Sequence, residues 1–122
     1  MRLITCIVSL IALSLVVSVG FTQQATIGYY RFPALSGDIV IFTAEGDLWR
    51  VPIAGGVAQR ITSHPGEESR AAISPDGKTL AFSATYEGPT EVYALPLDGN
   101  APPVRETYDG GQALVIGWTP KN

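Results

Sequence analysis

One cysteine and one histidine, Cys6 and His64, are all that the 122 residues contain of either. Cys6 lies inside an apolar run near the N-terminus, too early for a lipoprotein cleavage site. The remainder of the chain therefore has no disulfide framework and no thiol chemistry. A single histidine with two nearby carboxylates is also a thin ligand set for a metal. Basic residues are few: eight Lys and Arg stand against eleven Asp and Glu, a formal charge of −3. Without a basic face, no nucleic-acid partner is expected. What the chain does have is thirteen glycines and nine prolines, with 46% apolar residues. That composition favours one small globular domain of short strands and tight turns over long helices.

The N-terminus is of different material. "MRLITCIVSLIALSLVVSVG" carries one cation, Arg2, and then an uncharged apolar run from Leu3 to Val19. Ser18 and Gly20 are small residues at the −3 and −1 positions of a cleavage after Gly20, the pattern of a secretory signal. Residues 1–20 are thus expected to be removed on export to the periplasm or the outside of the cell. The rival is an uncleaved membrane anchor, but the run is at the short end of the roughly 20 residues a bilayer needs.

Beyond it the sequence repeats. Phe32–Thr62, "FPALSGDIVIFTAEGDLWRVPIAGGVAQRIT", aligns with Ala71–Thr107, "AAISPDGKTLAFSATYEGPTEVYALPLDGNAPPVRET". Gly37 falls on Gly77, Phe42 on Phe82 and Ala44 on Ala84. After a short insertion "DLWRVP" falls on "EVYALP", and Arg60 and Thr62 fall on Arg105 and Thr107. The offset is 40 at Phe42/Phe82, 44 at Trp49/Tyr93 and 45 at Thr62/Thr107. "GWTP" then opens a third copy, with Thr119-Pro120 on Ser74-Pro75.

In the second copy the spacing predicts strands at Ala71–Ser74, Thr79–Ala84, Glu91–Leu97 and Val104–Thr107. "PDGK" joins the first two: Pro presets φ, Asp bonds its own backbone and Gly takes a positive φ. Leu80 and Phe82 alternate with Thr79, Ala81 and Ser83, the period of a strand. Four antiparallel strands recurring every 40–45 residues make a β-propeller blade. The fold class is all-β, an incomplete propeller of about two blades and the start of a third. The expected division is a signal at 1–20, a leading segment at 21–31, blade one at 32–69, blade two at 70–112 and the first strand of blade three at 113–122. A propeller closes with about 4–8 blades, so the chain reads as an N-terminal piece of a longer product. Open outward faces are expected to leave Phe42, Trp49, Phe82, Tyr93 and Trp118 partly in water.

"SPDGK" followed by "LAFS" and "EVYALPLDG" resembles the propeller repeat of TolB-like proteins and of propeller-gated peptidases. "EGDLWRVP", "TSHPGEES" and "GWTP", in that order, are similar to the extreme N-terminus of tricorn-type proteases over about Gly28 to Pro120. The resemblance implies a large serine peptidase whose propellers precede a PDZ-like domain and a catalytic core that trims short peptides, and the signal pattern adds that it is exported. It implies the downstream blades and core of the same protein as partners, peptides or other proteins as ligands, no cofactor, and room for a homo-oligomer of the full-length protein. A non-catalytic TolB-type scaffold of the cell envelope is the alternative.

No catalytic set is legible within the chain. His64 has Ser63, Ser69, Glu67 and Glu68 for neighbours, but a triad needs a base within reach of an activated Ser, an orienting carboxylate and an oxyanion hole. "SHPGEES" reads as a loop between blades, since Pro65-Gly66 is a turn signal. "AGG" at Ala54–Gly56 lacks the Lys and helix of a phosphate loop, and Trp49 and Trp118 read as packing between blades. Strand alternation places Ala44–Gly46, Ser63–Ser69 and Thr85–Thr90 on one face. That face carries His64, Glu67, Glu68, Tyr86 and Glu87, the residues to examine for contact with a substrate or partner.

Overall fold

The computed structural model describes residues 28–120, so the signal-like segment lies outside the described residues. Eight strands follow one another: β1 (Arg31–Ser36), β2 (Ile39–Ala44), β3 (Asp47–Pro52), β4 (Gln59–Arg60), β5 (Glu68–Ile73), β6 (Thr79–Ala84), β7 (Glu91–Pro96) and β8 (Val104–Arg105). They form two four-stranded antiparallel sheets, β1-β2-β3-β4 and β5-β6-β7-β8, each a meander in chain order. These are the two blades, and the repeat is visible in the register. Phe42 lies opposite Trp49 in the first sheet, and Phe82 opposite Tyr93 in the second.

Turn chemistry sets the differences between the copies. Ala44 faces Asp47 across a two-residue hairpin whose central residues, Glu45 and Gly46, both have positive φ (55° and 87°). That is the geometry of a tight turn matched to strand twist, and a residue without Cβ suits its second position. In the second sheet the same strand ends, Ala84 and Glu91, are joined by the longer loop Thr85–Thr90. This loop is the insertion that moves the repeat offset from 40 to 44.

Alternation gives each sheet two faces, and the core forms where two of them meet. Ile41 and Leu48 from the first sheet and Leu80, Phe82, Ala84, Tyr93 and Leu95 from the second make one buried cluster. At about 1.5–3 kcal/mol for a fully buried large side chain, this layer dominates the stability of the pair. Phe82 and Tyr93 therefore depart from the expectation of exposure. Their face is turned toward the first blade, which covers them. Phe42 and Trp49, the equivalent pair, occupy the opposite side of the first sheet and are only half-buried. With Tyr30, whose ring meets Phe42 edge-on at 5.0 Å, they line an open cavity of about 600 Å3. Trp118 is exposed, yet its indole N–H donates to the Ala72 carbonyl at 2.9 Å. Val115 N–H donates to Ser83 Oγ at 2.8 Å. Residues 113–118 thus run along the second blade as β5 runs along the first.

Candidate functional site

The three loops assigned to one face do come together. Glu68 N–H, at the end of the β4–β5 connection, donates to the Gly46 carbonyl at 2.8 Å, and Thr85 N–H donates to the Glu67 carbonyl at 3.1 Å. Glu67 N–H returns a bond to Thr85 Oγ1 at 3.0 Å. Gly66 sits so close that a Cβ there would lie 2.5 Å from the Thr85 carbonyl oxygen. Only a glycine lets the connection press this tightly on the neighbouring loop.

The five marked residues split into three groups. His64, Glu68 and Tyr86 meet, while Glu67 and Glu87 each turn to an arginine. Glu67 pairs with Arg31, and Glu87 with Arg105 at 2.6 Å. His64 braces the loop: its N–H donates to Asp47 Oδ1 at 3.2 Å, its Nδ1 accepts from Gly66 N–H at 2.9 Å, and its ring lies 3.8 Å from that of Tyr86. With Nδ1 acting as acceptor, the proton of the neutral ring sits on Nε2.

Glu68 is not on the accessible face at all. Its side chain is fully buried at the boundary between the sheets, because β5 starts at Glu68 and not after Ser69. Its carboxylate accepts from Leu48 N–H at 3.1 Å and from the hydroxyls of Thr62 and Tyr86. Two of those donors belong to the first blade and one to the second, so the group bridges them. Burial pushes the Glu68 carboxyl above its ordinary pKa, and the nearby Asp47 charge pushes the same way against the three hydrogen bonds. Burial also raises the Tyr86 phenol, which the Glu68 carboxylate holds in its donating form.

A second arrangement was written in the repeat but not read as a site. Arg60 Nε donates to the Thr62 carbonyl at 2.9 Å, the same guanidinium pairs with Asp47 at 3.0 Å, and Thr62 Oγ1 accepts Leu48 N–H at 2.9 Å. In the second blade Arg105 Nε donates to the Thr107 carbonyl at 2.8 Å, pairs with Glu91 at 3.0 Å, and Thr107 Oγ1 accepts Val92 N–H at 2.9 Å. The same acid–Arg–Thr clasp thus ties the start of the third strand to the chain after the fourth in both blades. The aligned pairs Asp47/Glu91, Arg60/Arg105 and Thr62/Thr107 were its signal. It is needed because β4 and β8 are only two residues long and hold few ladder bonds of their own. The Thr107 hydroxyl, Gly110 N–H and Arg105 hold the Glu91 carboxyl below its ordinary pKa, opposite to Glu68, which is buried with no cation paired to it among the described residues.

Thr107→Val keeps the shape and removes both bonds of the hydroxyl. The expected loss is about 1–3 kcal/mol, the cost of leaving buried partners unsatisfied. Equilibrium unfolding measures it, with amide exchange at Val92 as the local reading. An unchanged Val92 amide would mean that the clasp holds nothing.

In this arrangement His64 is engaged by the loop, and the carboxylates are tied to arginines, hydroxyls and backbone N–H groups. The geometry is that of strands and blades being joined. A family model described as the tricorn protease N-terminal beta propeller domain matches residues 27–122. The chain belongs to the tricorn N-terminal propeller family. It is 41% identical over 101 residues to tricorn protease homolog 1 of Streptomyces coelicolor, covering 82% of this chain and 9% of that protein. It is 35% identical over 95 residues to a tricorn protease homolog of Saccharolobus solfataricus, covering 74% and 9%. Among solved structures it resembles the tricorn protease with a TM-score of 0.64 at 26% identity, over 72% of this chain and 9% of the other. TolB from Acinetobacter baumannii superposes with a TM-score of 0.61 at 24% identity, over 71% and 23%, a likeness of fold alone. The chain therefore spans about a tenth of the length of these tricorn relatives. In this propeller domain the acid–Arg–Thr clasp closes each blade, and the buried Glu68 joins one blade to the next.

Proposed function

We propose that this chain supplies the opening blades of a propeller that serves an exported, tricorn-like serine peptidase as a peptide-gating domain without catalytic groups of its own. The observation that carries this is the open aromatic face of the first blade. Phe42 and Trp49 correspond to Phe82 and Tyr93, which are buried because a preceding blade covers them. A further blade of the same protein fits the first face in the same way, and the family membership supports such a parent. The loop face bearing His64, Glu67, Tyr86 and Glu87 is then the side on which peptides or the neighbouring domain are met, with Glu68 beneath it as a joint.

The test is removal of residues 28–120 from the whole protein. Hydrolysis of the shortest peptides should persist, while discrimination against long or folded substrates should be lost. Unchanged discrimination would sink the gating role, and a whole protein that hydrolyses no peptide would favour the envelope scaffold. His64→Ala should leave turnover intact, because the imidazole braces a loop. Export is tested by mass spectrometry of the secreted protein. The mature N-terminus is expected at Phe21 or within a few residues of it, and an intact Met1–Gly20 on a membrane-bound product would favour the anchor.

A further inference from the structure

The innermost strands carry a feature that neither blade packing nor the joints explain. β1 and β5, the sheet ends that lie side by side, each contain a bulge at the corresponding place, between Arg31 and Ala34 and between Ser69 and Ala72. At each bulge a bulky residue has a left-handed backbone: Phe32 at φ 50° and Arg70 at φ 51°. Such conformations are uncommon for residues with large side chains, and they gather where a side chain must be re-aimed for function. Here both side chains are aimed at one place. Phe32, Arg70 and Leu114, from three successive innermost segments, line a single cavity of about 240 Å3. The meeting point of successive innermost strands is the axis of a propeller, so this cavity is part of its mouth, on the side of the Thr85–Thr90 loop.

The chemistry of the mouth is that of a receptor for an anion. The Arg70 guanidinium stands 5.6 Å from the Phe32 ring, and Arg31 stands 5.7 Å from the same ring and 5.4 Å from that of Tyr29. Arg31 is neutralised by Glu67. Arg70 is exposed and has no carboxylate partner among the described residues. Its planar fork, steadied on an aromatic ring, suits a bidentate carboxylate. Ser69, Thr85, Thr90 and Gln112 supply neutral polar groups around it, and the Glu67 carboxylate, which also lines the cavity, is held by Arg31.

We propose that Phe32 and Arg70 form a selectivity element at the mouth of the propeller axis, favouring extended peptides that carry a carboxylate, whether as an Asp or Glu side chain or as a free C-terminus. The inference rests on the reading that peptides meet this propeller. Arg70 is a specificity-determining residue and Phe32 the platform that positions it.

The experiment measures fluorescence anisotropy of labelled hexapeptides with the whole protein. Three have blocked ends and carry Glu, Gln or Lys at two internal positions, and a fourth is neutral with a free C-terminus. The wild-type protein should bind the Glu peptide or the free-C-terminus peptide at least about tenfold more tightly than the Gln peptide, a difference of about 1.4 kcal/mol. The Lys peptide should bind weakest, and salt should narrow the gap. Whichever of the two carboxylates gains identifies its source. Arg70→Asn removes the cation while suiting the left-handed backbone, so it should fold at least as stably as the wild type and lose the preference. Arg70→Lys should retain it in part. A preference that survives in a folded Arg70→Asn protein overturns the proposal, and so does an Arg70→Asn protein that fails to fold, because the residue would then be structural. If no peptide binds while residues 28–120 are still required for substrate discrimination, only this site falls. If neither holds, the gating reading falls with it.

Discussion

Phe82→Ala is expected to cost about 3–5 kcal/mol, a large share of the about 5–15 kcal/mol by which a domain is stable. Its ring is fully buried between the blades against Tyr86 and Tyr93, with ring centroids at 6.1 and 6.0 Å. Phe42→Ala deletes the equivalent ring, and the two substitutions together test the architecture. In a piece limited to residues 21–122 the outward face is in water, so Phe42→Ala should cost well under half as much. That piece alone should be aggregation-prone or only partly ordered, since repeat architectures need about three units to bury a continuous core. In the whole protein a further blade would cover Phe42, and the two substitutions should become comparable. Local hydrogen exchange of the β2, β3, β6 and β7 amides reads both effects where whole-protein melting would not resolve them. If Phe42→Ala stays the milder change in the whole protein, nothing covers the first blade, and the closed propeller is wrong.

The blades were legible because each strand had its own pattern and punctuation. The pattern in "TLAFSA" (Thr79–Ala84) marked β6 at both its ends, and that from Glu91 to Leu97 marked β7 to within one residue, the strand closing at Pro96. The outer strands were less so: Val104–Thr107 is strand only at Val104–Arg105, and Thr107 beyond it gives its hydroxyl to Val92 N–H and its carbonyl to Arg105 Nε–H in the clasp. The start of β5 was missed for a related reason. A glutamate beside "HPG" looks like loop, and nothing local says that its carboxylate will be met by two hydroxyls and an N–H brought from 6 to 20 residues away. The bulges were hidden as well. A left-handed residue is usually announced by Gly or Asn, whereas here Phe32 and Arg70 occupy those positions. Side-chain partners set by the second blade and backbone strain set by the sheet ends are tertiary properties, and alternation does not encode them.

Glu68 provides the other large effect, and its pH dependence separates charge from shape. Glu68→Ala should cost about 2–4 kcal/mol, because it opens a hole at the blade boundary and leaves the hydroxyls of Thr62 and Tyr86 without an acceptor. Glu68→Gln keeps the volume and one acceptor oxygen for Thr62 and Leu48, while the Tyr86 hydroxyl can turn to accept from the amide. The sign of the pH effect follows from the raised pKa of the buried carboxyl. The folded state holds this proton more tightly than the unfolded chain does. The contribution is therefore fully present below the unfolded glutamate value of about 4.3 and is lost as pH rises through the higher folded value. Glu68→Gln cannot ionise and escapes that loss, so its stability relative to wild type should climb from about pH 4 upward and level off above the raised folded value. Glu91 acts in the opposite sense: its depressed pKa gives stability that is present at neutral pH and fades as pH falls. Glu91→Gln should therefore fall behind wild type as pH rises from the depressed folded value to about 4.3, below the range in which Glu68→Gln gains on it. Urea unfolding at a series of pH values gives both curves. Parallel curves for the two variants would show that neither carboxylate is tuned by its joint, and that the acid in each blade is merely a hydrogen-bond acceptor of convenient shape.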